Sequence, residues 1–373
     1  MFLHDYANSY FKKMEITKPT LFLDKNKCKE NIYQMFSKAK SKQLDFRPNF
    51  KTHQSREIGL WFKEIGVNKI TVSSFTMAEY FSSQWDDITV AFPTNISEIN
   101  TINNLAEKIT LNICVENIES ILFLIKHLKY KLNIFLKMDV GYHRTGIDPT
   151  NTNLINIILS EIDTNHLTNF KGFLGHAGHT YNCRTHEAIK NEHDRSLKVM
   201  SNLKKQYINQ YPNLIISLGD TPSCSVAEDF SGVDEIRPGN FVFYDLTQNL
   251  IGSNSISQIA VAMACPIVAL HKNRGEIVVY GGGVHLSKDR LEDKEGIVFG
   301  RVVEKKENSW GDIIPNVYVK SLSQEHGIIS CPKDEVDKYK IGDYLIILPV
   351  HSCMAANTMK SYTTFDGQII SRL

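Results

Sequence analysis

The segment at 47–55 reads RPNFKTHQS and sets one lysine, Lys51, between a proline-containing extended run and a Thr-His pair. Pro48 fixes its own φ and pushes the residue before it towards extended geometry, so LDFRPNFK reads as a strand ending near Lys51. At the C-terminal edge of a barrel strand, a lysine loses its proton more readily than in water and can serve as nucleophile or base. A solvated lysine on a loop is the other reading. His351 and Cys353 form a second constellation, His-x-Cys. Residues two apart in a strand point to one side, so this imidazole and thiolate could share one cation, although the spacing by itself is too common to mean metal. Arg144 follows a strand ending in Asp139. Its planar fork suits a carboxylate, or it forms a salt bridge with Asp139.

The elements that must position these groups show in the rhythm of the chain. Strand-length apolar runs (TLFLD, LDFRPNFK, KITVS, DITVAF, LNICVE, NIFLKMD, FKGFLGH, LIISLG) alternate with amphipathic stretches such as KCKENIYQMFSKAKSK. This is βα repetition. About eight such units match a (β/α)8 TIM barrel, an α/β fold, and no GxGxxG after the first strand favours a doubly wound sheet. From about residue 255 the pattern changes to strands separated by turn residues, which predicts a mainly β second domain. The expected division is a barrel over 18–254 and a β domain over 255–373, with residues 1–17 packed onto the latter and the His-x-Cys motif within it.

The chain has 373 residues, with 42 Lys plus Arg against 41 Asp plus Glu and a formal charge of +1. That balance argues against nucleic acid or an anionic membrane surface as the main partner and suits a small neutral or zwitterionic ligand. The N-terminus has no apolar run of signal-peptide length, and IAVAMACPIVAL is too short to span a bilayer. Seven cysteines without CxxC pairing predict reduced thiols. The expectation is a soluble cytoplasmic protein.

RPNFKTHQS resembles the cofactor-lysine motif of the fold-type III pyridoxal-phosphate enzymes, in particular the D-serine dehydratase and D-threonine aldolase family. DVGYHRTGI (139–147), GHAGHTY (175–181), LGDTPSCS (218–225), EIRPGNFVFYD (235–245), LSQEHG (322–327) and GDYLIILPVHSC (342–353) carry the same resemblance over nearly the whole chain. The resemblance implies that Lys51 binds pyridoxal 5'-phosphate and acts as the catalytic base. It also implies that Thr221, Gly239 and Asn240 cradle the phosphate and that Tyr181 contacts the cofactor. Arg144 would bind the cofactor's ring oxygen or the substrate carboxylate. Arg237 is similar to the arginine that faces the pyridine nitrogen in alanine racemases. His351 and Cys353 resemble the family's zinc ligands, where aldolase relatives carry His-x-Asp. His53, His176, His179 and His326 occupy family-like positions that either line the pocket or are structural.

The activity so implied is a zinc-assisted lyase that eliminates water from a 3-hydroxy-D-amino acid: D-serine to pyruvate and ammonia, or a close analogue such as D-threonine or D-threo-3-hydroxyaspartate. Retro-aldol cleavage to glycine and an aldehyde is the alternative, followed by racemisation, and a non-catalytic cofactor-binding protein is the alternative of another class. A homodimer is expected by the same resemblance.

Overall fold

The computed structural model describes residues 15–373. The chain divides into two compact units. One comprises Lys25–Ala260 with two later pieces, His351–Lys360 and Ser371–Leu373; the other comprises residues 15–24, Val261–Val350 and Ser361–Ile370.

The first unit is a parallel barrel. The strand Thr20–Leu23 (β1) lies outside it, and β2 (Asp45–Phe46), β3 (Ile70–Val72), β4 (Asp87–Pro93), β5 (Thr110–Val115), β6 (Leu132–Met138), β7 (Thr168–Gly175), β8 (Ile215–Leu218) and β9 (Glu235–Ile236) build it. The sheet order is β2-β9-β8-β7-β6-β5-β4-β3. A parallel bridge between Asn49 and Thr71 joins its two ends, with Phe50 N–H donating to Thr71 O at 2.9 Å and Thr71 N–H to Pro48 O at 2.9 Å. Proline lacks the N–H that a longer β2 ladder needs, so the strand stops short of Lys51 and the lysine sits in the turn that follows. The strands are covered on both faces and so are apolar almost throughout, as in β6. The helix Thr152–Asp163 shows how the outer layer is encoded: Ile155, Ile158, Leu159 and Ile162 form the buried stripe, and Asn151 caps the first turn by accepting from Leu154 N–H.

Polar groups run through the barrel as a belt. Arg47, 1 % exposed, donates from Nε to Glu235 Oε2 at 2.6 Å and from Nη1 to Asp87 Oδ1 at 2.6 Å. Asn112 donates to Asp87 at 2.8 Å, Asn133 to Asn112 at 2.9 Å and Asn169 to Asn133 at 2.8 Å. On the other side Ser217 Oγ donates to Glu235 Oε1 at 2.6 Å and accepts from Arg237 Nε at 2.6 Å. Arg47, Glu235 and Arg237 are buried and Asp87 is half-buried, and each ionised group has a partner, which is the condition for tolerating it.

The second unit is a nine-stranded, mainly antiparallel sheet. Here two expectations are corrected. TLFLD, read as the first barrel strand, is β1 and pairs antiparallel with Val261–His271, Leu21 opposite Met263. The barrel keeps eight strands because the two-residue β9 takes its place. A buried four-residue apolar run fits either sheet, so its partner is not encoded locally. The expected boundary at 254/255 lies instead at 260/261, and the His-x-Cys segment returns to the barrel unit. The expectation for the N-terminal segment falls mostly on residues 1–14, outside the described residues. No helix among the described residues is long and apolar enough to cross a membrane.

Replacing Arg47 by alanine leaves Glu235 a buried, uncompensated carboxylate. The expected cost is about 3–5 kcal/mol of stability at neutral pH, read from urea unfolding midpoints. A loss below about 1 kcal/mol contradicts the role assigned to the belt.

Candidate active site

Two adjoining cavities open in the barrel unit beyond the C-terminal ends of its strands. One, of about 400 Å³, is lined by Lys51, Arg144, Tyr181, Asn240, His351 and Cys353 among others. The other, of about 370 Å³, shares Lys51, Arg144, Tyr181 and Asn240 and adds Thr221, Arg237 and Gly239. All nine residues singled out in the sequence therefore line one cavity or the other.

The turn holding Lys51 is fixed by its own side chains. Lys51 N–H donates to Asn49 Oδ1 at 3.0 Å, and Gln54 Nε2 donates to Lys51 O at 3.0 Å. His176 lines both cavities. Its Nδ1 meets the Gly219 carbonyl at 3.0 Å, and a carbonyl only accepts, so Nδ1 carries the proton and Nε2 the lone pair. Burial first, then the charge of Lys51, holds His176 well below the ordinary imidazole range and so neutral. Of the other three histidines, none lines either cavity. His53 is pushed down to about 3 by burial and packs edge-on against Phe50 at 4.4 Å. His179 pairs with Glu192 at 3.2 Å, and His326 lies in the other unit.

The second cavity is strongly cationic. Lys51, Lys137, Arg144 and Arg237 line it against one carboxylate, Asp220. Lys137 on β6 is 4 % exposed, and burial lowers its pKa; its Nζ makes no hydrogen bond or salt bridge among the described residues. The sequence reading passed over Lys137, and its signal was a lysine inside the apolar strand NIFLKM. Asp220 caps the helix Thr221–Val226, accepting from Ser223 N–H, while its Oδ2 is buried without a partner. Tyr181 and Thr221 both line this cavity, and burial raises the Tyr181 phenol well above the ordinary range. Gly219, at φ +149, lies where a Cβ would come within 3.0 Å of Arg237 N. A cavity with a buried, unneutralised ammonium and a turn of free backbone fits a phosphate-bearing anion.

The structure sets aside one of the two readings of Arg144, the salt bridge with Asp139. Asp139 accepts from Gly141 N–H at 2.9 Å and His143 N–H at 3.0 Å, and its Oδ2 pairs with His143 Nδ1 at 2.8 Å. Its salt bridge goes to His143 and not to Arg144, whose guanidinium lies over the Tyr142 ring at 4.8 Å on the cavity wall. Arg237 is buried with Nε on Ser217 Oγ and Nη2 on the Gly175 carbonyl; burial lowers its pKa, and Glu235 opposes this.

His351 and Cys353 are not in a strand. The strand ends at Pro349 and Ser352–Thr358 is a helix, with extended His351 at its N-cap and Cys353 in its first turn. The two side chains nevertheless line the same cavity, near enough for the charge of each to act on the other. Asp245, which the sequence reading did not single out, is completely buried and arranges them. Its Oδ2 lies 3.1 Å from His351 Nδ1 and accepts from Ser352 N–H at 2.9 Å and Asn240 Nδ2 at 2.7 Å. The Asn240 side chain is thus committed to this pair and not to a phosphate cradle, to which only its backbone remains available. Burial disfavours a charged His351, but the Cys353 thiolate and the Asp245 bond overcome it and push the imidazole up to about 11. Burial likewise opposes the thiolate, and His351 with Lys51 brings Cys353 down to about 7. Thr52 Oγ1 lies 3.2 Å from Cys353 Sγ. With Nδ1 on Asp245, Nε2 is the nitrogen left for a metal, and a thiolate with an imidazole favours zinc. Among the described residues no group of three or more His, Cys, Asp or Glu gathers to hold a metal, so any ion here keeps open positions.

Comparison with known proteins agrees with this geometry. The model of the alanine racemase N-terminal domain matches residues 23–246, and that of the serine dehydratase domain matches 260–365. A D-serine dehydratase of Dictyostelium discoideum is 32 % identical over 92 % of each chain. The solved D-threo-3-hydroxyaspartate dehydratase of Delftia sp. HT23 superposes with a TM-score of 0.88 at 24 % identity, covering 96 % of this chain and 98 % of that one. A D-threonine aldolase of Filomicrobium marinum gives 0.80 at 18 % identity, covering 95 % and 94 %. The cavities, the lysine turn and these matches together place the chain in the D-serine dehydratase-like, alanine racemase-like family of fold-type III pyridoxal-phosphate enzymes.

Proposed function

We propose that the protein is a pyridoxal-phosphate and zinc dependent lyase that eliminates water from a 3-hydroxy-D-amino acid, D-serine or a close analogue such as D-threonine or D-threo-3-hydroxyaspartate. The observation that carries this reading is the His351–Cys353 pair, oriented by Asp245, opening into the same cavity as Lys51. When bound, the cofactor supplies an electron sink that acidifies the substrate's α C–H bond. Lys51 holds its aldehyde carbon and takes the α-proton at Nζ. Backbone N–H groups at Thr221, Gly239 and Asn240 hold the phosphate, with Tyr181 lining the same cavity. Arg144, released from Asp139, binds the substrate carboxylate or the cofactor's ring oxygen. Arg237, anchored by Ser217, would offer a cation to the bound cofactor from the cavity wall. His351 Nε2 and Cys353 Sγ hold zinc, which would supply Lewis acidity to the departing hydroxyl. A thiolate in place of a carboxylate favours this over retro-aldol cleavage, and a mere cofactor store needs no such pair. Free thiols at all seven cysteines support a cytoplasmic setting.

Purified protein given D-serine, D-threonine and D-threo-3-hydroxyaspartate is expected to release ammonia and keto acid, with little glycine. EDTA or Cys353→Ala removes several kcal/mol of transition-state stabilisation and lowers ammonia release by at least about 100-fold, with zinc restoring the EDTA-treated enzyme better than magnesium. Borohydride reduction should label Lys51. Glycine as the main product, or a label on another lysine, defeats the reading.

The Cys353 thiol supplies a pH test. In metal-free protein its alkylation by iodoacetamide is expected to rise through about pH 7, because the thiolate is the nucleophile and forms above its pKa. His351→Ala should move that midpoint upward, and zinc should protect the thiol.

A homodimer belongs to the same proposal. Phe92 and Met354 line the cavities yet are 56 % and 47 % exposed, an apolar rim that a second copy would cover. Light scattering at micromolar concentration is expected to give twice the chain mass; a fully active monomer excludes the idea.

A further inference from the structure

Lys51 and the His351–Cys353 pair come from chain segments far apart in sequence: Thr52 and Cys353, which touch, are separated by 301 positions. The reaction proposed above needs both at once, a base at the α-carbon and a cation at the β-oxygen, and their spacing must hold while each works. A second tie between the two segments runs through Gln54 and Asn357 on the cavity wall and through Arg372 and Leu373, which line neither cavity.

Gln54 is its centre. It is 7 % exposed and sits at φ 46, a left-handed conformation that a residue with a Cβ adopts only when its surroundings enforce it. The backbone N–H of Leu373 donates to the Gln54 carbonyl at 2.8 Å. The Gln54 side chain donates from Nε2 to Lys51 O at 3.0 Å and to Asn357 Oδ1 at 3.4 Å. Asn357 stands four residues after Cys353 in the same helix, and therefore on the same face. Arg372 closes the circuit: Nη2 donates to Asn357 Oδ1 at 3.2 Å and Nη1 to Met359 O at 3.1 Å. All of these residues belong to the barrel unit, to which Ser371–Leu373 returns. The chain thus comes back to the site to clip the lysine turn to the metal-pair helix.

The geometry points to Arg372 and Leu373 as positioning residues that set the register between the Lys51 turn and the His351–Cys353 helix. This inference rests on the proposed elimination. Arg372 lines neither cavity; it holds Asn357, which with Leu373 holds Gln54, and Gln54 holds the Lys51 carbonyl. Loosening the clip leaves the base on its own turn, still able to exchange the α-proton, but misaligns the hydroxyl with its cation.

The test uses the full-length holoenzyme with Arg372→Ala, Arg372→Lys and Asn357→Ala. Two rates are measured on D-serine in D₂O: deuterium entering the α-position of recovered substrate, and ammonia release. Arg372→Ala and Asn357→Ala are expected to keep α-exchange within about twofold while ammonia release falls about 10-fold or more, in kcat rather than KM. Arg372→Lys, with donors but no fork, should recover part of the loss. Without substrate, amide hydrogen exchange across residues 51–55 should quicken in the alanine variants. Exchange and elimination falling in parallel, or amide exchange unchanged, overturns the inference. A wild-type enzyme releasing no ammonia from any substrate instead overturns the proposed function, and the clip is then judged by amide exchange alone.

Discussion

The buried guanidinium of Arg47 is the group on which both the barrel and its cavity depend. A charge at 1 % exposure is tolerable only with counter-charges in place, and Glu235 and Asp87 provide them from strands on either side. Those two carboxylates then engage Ser217 and Asn112, and Ser217 in turn orients Arg237 at the cavity wall. Four residues beyond Arg47 lies Lys51. The interaction that neutralises the barrel interior therefore also places two cations of the candidate site, one through a chain of hydrogen bonds and one through the short segment that runs from Arg47, just after β2, into the Lys51 turn.

The two ends of the site differ in what the protein leaves uncompensated. Around Thr221 and Gly239 there is positive charge in excess, with Lys137 buried and unneutralised, so an anionic ligand completes the electrostatics. Around His351 opposite charges already face one another: the imidazolium lies between the Cys353 thiolate and the Asp245 carboxylate, and each stabilises the other. On the proposed reading, a metal entering that end would displace a proton from the pair, and its affinity would rise with pH. Asp245 keeps one geometry in both circumstances because its oxygens are already held by Ser352, Asn240 and Gln248. Oriented ligands of this kind are the usual means of setting a metal's reactivity from outside its coordination shell.

On the proposed reading, the chemistry that separates elimination from retro-aldol cleavage would lie in one atom of that pair, Cys353 Sγ. Both reactions begin with the substrate on the same cofactor, and they diverge at the β-oxygen, which either departs or gives up its proton. A sulfur ligand favours a soft, Lewis-acidic ion suited to departure. The rest of the cavity is common to either course: Arg144 over Tyr142, and His176 held neutral with its lone pair on Nε2.

How far the residues alone carry the description differs by kind of information. The alternation of apolar runs with amphipathic stretches reads out as a barrel because burial on both strand faces and one helix face imposes those periods directly on the sequence. Lys51, Arg144, Tyr181, Thr221, Arg237, Gly239, Asn240, His351 and Cys353 were legible because each stands in a short motif at a turn or strand end, where side-chain type is set by chemistry and not by packing. Lys137 and Asp245 were not, since nothing near them in sequence says whether a lysine in an apolar strand faces a cavity or an aspartate before a helix reaches His351.

Sequence by itself thus determined the order of the elements, the barrel with its β companion, and the chemical types gathered at the candidate site. Tertiary structure alone decided which sheet received TLFLD, that the His-x-Cys segment starts a helix in the barrel unit, that Asp139 takes His143 and so frees Arg144, and that residues 372–373 return to the lysine turn. The physical reason is range. Periodicity and turn chemistry act over a few residues and leave their mark locally, whereas strand pairing, ion-pair choice and the closure of a loop hundreds of residues long are settled by competition among partners that meet only in the folded chain.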